Sequence, residues 1–516
     1  MNISEKMEEL LKYCSVYQGH VNMMDERREE GGFQVTLSEE EEILAHLDTL
    51  QFILLTGEAG DGKSRLIRIL RKKLDEYGFS EPYMDFSAET EVEKEKILQR
   101  IVDILDGKSE ERIIIAANVG IFTKCAIKYQ RSLMEKLNQQ NDKVIIKNFE
   151  KRNLAEDKNI FQKIVQGFLA YDKNPCSNRE CQFFKNCAFQ ENLNFLLSEK
   201  GTESVRVMCD AVYLIGEHVT FRELLSLLAY MVTFGEGCKE RRKRREQGDF
   251  FVDAVFGQRD HLDKVLLNMG RMDPAFKNLK EDVWECDSVE ECRKKKRKRF
   301  FDEQENPYDF LAVNYLTEFR EVITFFQKEP FIDSAEIQDG ELYRLKRGLG
   351  RLTRRGQSDL AMKVADTPVM LGDGIQTEFE LGSIDMIWHR YGLDFGNLNT
   401  NVHKKEEQNR FSISYVFQEK DSLDAITLVV DYQLFCYLMM ADEYYYLSHN
   451  SKSLEEYRIN SFYQKILKKK SGVYEKMYVR FTNQEQNQLC NFSLSVQHVN
   501  HFLKGQSTVV KIRKEG

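Results

Sequence analysis

Gly57-Glu58-Ala59-Gly60-Asp61-Gly62-Lys63-Ser64 has the spacing G-x-x-x-x-G-K-S, and that spacing suits one chemistry. Glycines let the backbone take positive φ and approach a ligand, so that successive N–H groups turn inward around phosphates. Lys63 is then placed to reach the β- and γ-phosphates of ATP, and the Ser64 hydroxyl to bind Mg²⁺. Gly57, Glu58, Ala59, Gly60, Asp61, Gly62, Lys63 and Ser64 together form the candidate nucleotide-binding loop. A helix opening at the lysine adds the anion-favouring end of its dipole.

Cysteines make a second constellation. Cys176, Cys181 and Cys187 are spaced C-x₄-C-x₅-C, three thiols within twelve residues. A loop that short can wrap one ion with metal–sulfur bonds of about 2.3 Å. The fourth ligand must come from elsewhere. Cys238, in Phe234-Gly235-Glu236-Gly237-Cys238, is the first choice because the glycines let backbone fold close; Cys209 and His218 come after it. Structural zinc is expected ahead of an iron–sulfur cluster, although spacing alone does not separate them. The bland alternative is three ordinary thiols.

The elements that must position the phosphate loop are present. Gln51 to Thr56 is an apolar run that ends at the first glycine, as a buried strand does. Arg65 to Leu74 continues as an amphipathic helix stopped near Gly78. Upstream, Ser38 with Glu41 has the pattern of a capping box for a helix to about Asp48. A helix centred on Glu8 to Tyr13 precedes it. Downstream, strands are expected at Tyr83 to Phe86, Arg112 to Asn118 and Val144 to Ile146. Helices are expected at Glu91 to Leu105, Ala126 to Leu137 and Phe161 to Tyr171. Alternation of this kind predicts a parallel sheet with helices on both faces.

Two strand ends carry polar groups that could serve the same site. Asp85 offers a carboxylate for Mg²⁺ through water, and Asn118 an amide that could sense the γ-phosphate or the attacking water. The bland reading of each is a solvated strand end or a turn residue. An apolar strand ending in Asp-Glu, the usual acidic pair of such sites, is absent. A later apolar helix begins at Thr220, a plausible cap. It carries Arg222 in its first turn, where the dipole disfavours a cation. A nucleotide phosphate and an ordinary carboxylate are the two candidate partners for that charge.

The chain has 516 residues, six prolines and a net charge of −9. That length is enough for several domains with substantial cores. The net charge excludes a uniformly basic nucleic-acid coat. Local basic clusters remain: Lys239 to Arg245, Arg293 to Arg299, the run Arg344, Lys346, Arg347, Arg351, Arg354 and Arg355, and Lys468 to Lys470. A solvated face is the ordinary reading of any one of them. Together they make DNA an expected partner. No run of 18 apolar residues occurs, so no membrane span is expected. The opening residues lack a basic-then-apolar signal. The expected location is cytoplasmic, where most of the eleven cysteines stay reduced or bind metal.

The order of these features resembles the DptF-type P-loop ATPases of bacterial phosphorothioation-dependent DNA restriction systems. The likeness lies in Gly57 to Ser64, then Asp85-Phe86-Ser87, then Ala116-Ala117-Asn118-Val119-Gly120. Asn148 to Leu154, the Cys176/Cys181/Cys187 cluster, Phe221-Arg222-Glu223-Leu224-Leu225 and Gly237-Cys238 follow. It covers roughly residues 50–240. It implies an ATPase subunit of an anti-phage DNA restriction complex, working beside nuclease or helicase subunits. This chain departs from the wider AAA+ pattern in lacking the Asp-Glu pair.

The expected fold is therefore an α/β P-loop NTPase, AAA+-like domain with a Cys-rich insertion and helical lid, followed by helical and α+β C-terminal regions. The expected divisions are an N-terminal helical segment (1–37), the nucleotide-binding core (38–160), the Cys-rich insertion and lid (161–245), a helical basic region (246–365) and an α+β region (366–516). The leading expectation is an ATP-driven motor or switch. A nucleotide-gated scaffold that assembles with little turnover competes with it, as does, more remotely, a small-molecule kinase. A homo-oligomer in which an arginine acts on a neighbour's ATP is a further possibility.

Overall fold

The computed structural model describes residues 3–14, 35–137, 142–171, 187–238, 255–256, 271–277, 288–302, 306–329, 331–333, 336–352, 369–370, 375–380, 386–390, 413–417, 426–444, 453–469, 476–481, 489–501 and 505–514. They fall into two compact units, one within Met1–Leu316 and one within Thr317–Gly392 and Phe411–Gly516.

The first unit is built on a short apolar strand. In β1 (Phe52–Thr56) every residue is buried, and the same holds for β2 (Ile113–Ala117). Both pair in parallel, with β3 (Val144–Asn148) on the other edge of β1, giving the order β2-β1-β3. Alternation along the strands divides the core between two faces. Phe52, Leu54, Ile113 and Ile115 pack with Ile97, Leu98 and Ile101 of α4 (Glu91–Leu105). Phe122 of α5 (Val119–Tyr129) and Leu133 of α6 (Ser132–Leu137) complete that face. Ile53, Leu55, Ile114 and Ala116 pack on the other face with Ile43 of α2 (Ser38–His46) and with Leu66, Ile67, Leu70 and Leu74 of α3 (Lys63–Glu76). Both faces are covered, as a parallel sheet requires.

Three local expectations change. Tyr83 to Phe86 is no strand; Tyr83 makes a single parallel bridge to Ile115, and the chain then turns into a 3-10 turn at Phe86–Ala88. Asp85 causes the turn, because its carboxylate accepts from Ser87 N and draws the backbone out of line. The helix expected over Ala126 to Leu137 is two helices, α5 and α6, the first starting at Val119 because Asn118 caps it. At α2, Leu37 is the cap residue and no side chain caps it; Ser38 is already helical, with its hydroxyl turned to Glu39.

The remaining helices of this unit pack on one another. α1 (Ile3–Leu11) and α8 (Ala188–Leu196) lie against α10 (Phe221–Thr233), and α7 (Lys158–Leu169) lies against α9 (Glu199–Leu214). Thr220 caps α10 in a reciprocal box with Glu223. α9 is buried nearly throughout, and its Asp210 takes hydrogen bonds from Asn153 and Tyr308. In α11 (Val289–Asp302) four members of the basic run reach other parts of the chain. Buried Arg297 forks onto fully buried Asp273, and Lys296 reaches Lys277 O. Arg293 and Arg299 lie over the rings of Phe276 and Phe310.

The second unit contains two antiparallel sheets. One has the order β12-β11-β10-β6-β5, from β5 (Val369–Met370), β6 (Ile375–Glu380), β10 (Lys476–Phe481), β11 (Leu489–His501) and β12 (Gly505–Lys514). The other runs β4-β7-β8-β9, from β4 (Phe331–Asp333), β7 (Met386–Arg390), β8 (Ile413–Phe417) and β9 (Ile426–Val430). Helices α12 (Leu316–Lys328), α13 (Gly340–Leu352), α14 (Tyr432–Glu443) and α15 (Leu454–Lys469) are the longer helices of this part of the chain. Asp442 of α14, its side chain 3 % exposed, pairs with Arg344 and Arg347 of α13. Those two members of the third basic cluster are therefore bound by a carboxylate of their own chain. Lys239 to Arg245, Arg354, Arg355 and Lys470 lie outside the described residues. Among the described residues no helix is long and apolar enough to cross a membrane.

Candidate nucleotide-binding site

The loop between β1 and α3 carries positive φ at three glycines, 151° at Gly57, 101° at Gly60 and 92° at Gly62. Their reasons differ. A Cβ on Gly57 would stand 2.5 Å from Asp61 Oδ2 and 3.0 Å from Phe149 Cβ. One on Gly60 would stand 3.0 Å from Arg222 Cβ. Gly62 has open space around it and is needed only for its conformation, as the cap of α3.

Asp61 is the hub of the loop. It is fully buried, and each of its polar atoms has work. Oδ2 accepts from Glu58 N at 2.6 Å, Oδ1 bonds His218 Nε2, and the carbonyl accepts from Arg152 Nη2 at 2.6 Å. Burial pushes this carboxyl up. The His218 bond and charge, the Arg152 charge and the Glu58 N–H outweigh it, holding the group below its usual range. A depressed carboxyl contributes stability that is present above its unfolded value of about 3.9 and is lost as pH falls through the lower folded value. The parent protein is therefore expected to lose more stability than Asp61→Asn as pH falls below about 4, measured as urea midpoints across that range. Equal acid sensitivity would refute this account of the carboxylate.

Lys63 Nζ donates to Gly57 O at 2.9 Å and Glu58 O at 2.6 Å, so its ammonium lies over the loop it serves. Burial lowers its pKa, and the charges of Asp61, Glu150, Asp85 and Glu58 oppose the shift. Ser64 Oγ donates to Met84 O at 3.4 Å, which brings the hydroxyl beside the segment carrying Asp85. Asp85 is exposed, with one oxygen on Ser87 N. Asn118 caps α5 through Ile121 N, and its own N–H meets Ser87 Oγ at 3.5 Å. Ser87 thus links Asp85 and Asn118, the two polar residues that the sequence singled out.

Arg222 comes from the other side. Its N–H donates to Gly60 O at 3.1 Å, which sets the first turn of α10 on the phosphate loop. Its Nε lies 3.4 Å from the point where a Cβ on Gly60 would stand. Among the described residues no carboxylate pairs with this guanidinium. Arg65, beside the loop, stacks on Phe221 of the same turn. Arg152 stacks on Phe149 and approaches Glu39 at 3.8 Å.

The cysteine constellation is only partly in view. Cys176 and Cys181 lie outside the described residues. Cys187 precedes α8 as its cap residue and Cys238 follows α10. Asn192 Nδ2, midway along α8, donates to Val232 O near the end of α10 at 3.2 Å. The two reserve ligands are withdrawn. Cys209 sits inside α9, where burial pushes its thiol up to about 12. His218 is taken by Asp61. Among the described residues no three potential ligands converge.

Sequence reasoning missed the roles of His218, Arg152 and Glu150. Asp61 occupies a position the loop motif leaves open, and its histidine is 157 residues away. Glu150 follows β3 by two residues, and strand-end position was the one signal that could have found it. No family model, no curated protein and no solved structure matches the chain.

Proposed function

We propose that this chain is an α/β P-loop NTPase of the AAA+-like kind, binding MgATP on Gly57 to Ser64 and using it as a motor or switch. The observation that carries the reading is the grouping at one loop of Lys63, Ser64, the Asp85 segment and Arg222, whose guanidinium no carboxylate pairs among the described residues, with Asn118 tied to Ser87 beside them. The residues fit the nucleotide. A Cβ at Gly57 would collide with Asp61 and Phe149, so the loop keeps this shape only with glycine there, and Lys63, Ser64 and Arg222 stand on or beside it. When bound, ATP supplies the anhydride whose cleavage or mere presence changes the protein's state. Lys63 and the loop N–H groups bind and orient the phosphates, Ser64 and Asp85 hold the magnesium side, and Asn118 orients polar groups at the sheet end.

Arg222→Ala separates phosphate recognition from general binding. One charged hydrogen bond is worth roughly 1.5–3 kcal/mol. The variant should therefore lose about tenfold or more in ATP affinity with little change for AMP, by calorimetry. Equal losses for both would reject the phosphate role.

A nucleotide-gated scaffold with little turnover is the second reading. It is favoured by Asp85, which spends one oxygen on Ser87 N and has no acidic neighbour in sequence. Steady-state phosphate release against nucleotide-dependent assembly decides between the two.

The resemblance in motif order supports a place in an anti-phage DNA restriction complex with nuclease or helicase partners. DNA is the proposed macromolecular ligand. The arginines engaged by Asp442, Asp273 and aromatic rings make poor phosphate contacts. The proposal therefore rests on Lys239 to Arg245 and on Arg351, Arg354 and Arg355. Zinc is proposed for Cys176, Cys181, Cys187 and Cys238. About one zinc per chain is expected in protein purified without added metal, and Cys187→Ser should lower both the zinc content and the melting temperature. Folded protein free of zinc and iron would refute it.

A further inference from the structure

Three contacts join the first turn of α10 and its lead-in to the phosphate loop. Arg222 N donates to Gly60 O, the Gly60 backbone lies against Arg222 and Thr220, and His218 Nε2 bonds Asp61 Oδ1. The third differs from the others because it runs through a side chain that the loop motif does not require. His218 is 7 % exposed, and its buried Nδ1 has no hydrogen-bond partner among the described residues. Burying an imidazole with one idle nitrogen is unfavourable. The bond to Asp61 is the ring's one hydrogen bond among the described residues, so the ring's place is coupled to where the Asp61 carboxylate stands.

That carboxylate in turn depends on the loop. Its other oxygen holds Glu58 N, and Glu58 O is one of the two acceptors of Lys63 Nζ. The line Lys63, Glu58, Asp61, His218 is thus continuous in hydrogen bonds from the residue that meets phosphate to the residue two before the cap of α10. The charged groups facing this line are Arg152 from the turn after β3, Glu150 and Asp85 beside Lys63, and Glu39 of α2 beside Arg152.

We infer that His218 is a positioning residue that transmits occupancy of the phosphate loop to α10 through Asp61. Phosphates that draw Lys63 from the Gly57 and Glu58 carbonyls release Glu58. The Asp61 carboxylate follows the Glu58 N–H, His218 follows the carboxylate, and the first turn of α10 resets with Arg222 on it. This rests on the nucleotide reading above, and the test keeps the two apart.

Hydrogen exchange is followed in residues 57–64 and 219–233 with and without magnesium and a non-hydrolysable ATP analogue, in the parent, His218→Ala and His218→Gln. Glutamine keeps an N–H donor for Asp61. In the parent the analogue should slow exchange about tenfold in both segments. In His218→Ala it should slow the loop alone, and in His218→Gln both segments again. Parent-like protection of 219–233 in His218→Ala overturns the inference while leaving nucleotide binding intact. A parent in which neither segment responds overturns the nucleotide reading, and this inference with it. If His218→Ala does not fold, His218→Phe keeps a buried ring without the bond to Asp61 and is read in the same way.

Discussion

Lys63→Ala should lower MgATP affinity by at least about a hundredfold, since two charged hydrogen bonds to phosphate at roughly 1.5–3 kcal/mol each are removed together. The fold should survive. Lys63 is only partly buried, it opens α3 where alanine is at home, and its two acceptors are loop carbonyls that water can reach once the ammonium is gone. The expected result is therefore a large change in a nucleotide titration beside a melting temperature within a few degrees of the parent. The lysine's lowered pKa sharpens the point. Burial disfavours its charge, and the surrounding carboxylates of Asp61, Glu150, Asp85 and Glu58 only partly compensate. A polyphosphate would supply the missing negative charge at close range. A variant that binds MgATP as the parent does would remove the phosphate-loop assignment, and with it the proposed function.

What the sequence made legible follows from the range of the forces involved. The Gly57 to Ser64 loop is a local object: eight residues whose glycines and lysine announce their own conformation, and whose flanking strand and helix are set by short-range alternation. The helix expected at roughly Glu91 to Leu105 is α4, where Ile97, Leu98, Ile101, Val102 and Ile104 keep a helical period. The segment at Tyr83 was misread for the opposite reason. Its apolar residues suit a strand, but one carboxylate at Asp85 redirects the backbone after a single bridge. The Ser38 box failed because the helix starts one residue earlier than its pattern implies. The Asp61–His218 bond was out of reach entirely. Nothing local to either residue names the other, and the pairing exists only once α10 has docked on the loop. Arg222 stands between these cases. Its poor position for the helix dipole was visible in sequence, whereas the Gly60 carbonyl that receives its N–H was not.

Gly348→Ala and Gly350→Ala should change stability in opposite directions, although both glycines lie in α13 and helix propensity alone favours alanine at each by about 1 kcal/mol. At Gly350 a Cβ meets open space, so the propensity gain should appear nearly whole. At Gly348 a Cβ would fall well inside contact distance of the Leu438 carbonyl of α14. A backbone atom cannot step aside by changing rotamer, so the helices must separate. Overpacking of this kind costs about 1–3 kcal/mol, the upper end applying where the obstacle is backbone. Separation would also stretch the bonds of Arg344 and Arg347 to Asp442, whose side chain is nearly inaccessible and whose charge then lies in a poorer environment. The net expectation is a loss of about 2 kcal/mol or more for Gly348→Ala against a gain of up to about 1 kcal/mol for Gly350→Ala, read from urea midpoints. The pair of variants also bears on the DNA proposal. If both substitutions stabilise, α13 does not lie against α14 as described. Arg344 and Arg347 would then be available to phosphates, and the salt dependence of DNA binding should steepen by about one unit for each arginine returned to the contact. If the signs are opposite, those two arginines hold helices together, and a DNA contact in this part of the chain must be made by Arg351, Arg354 and Arg355 without them.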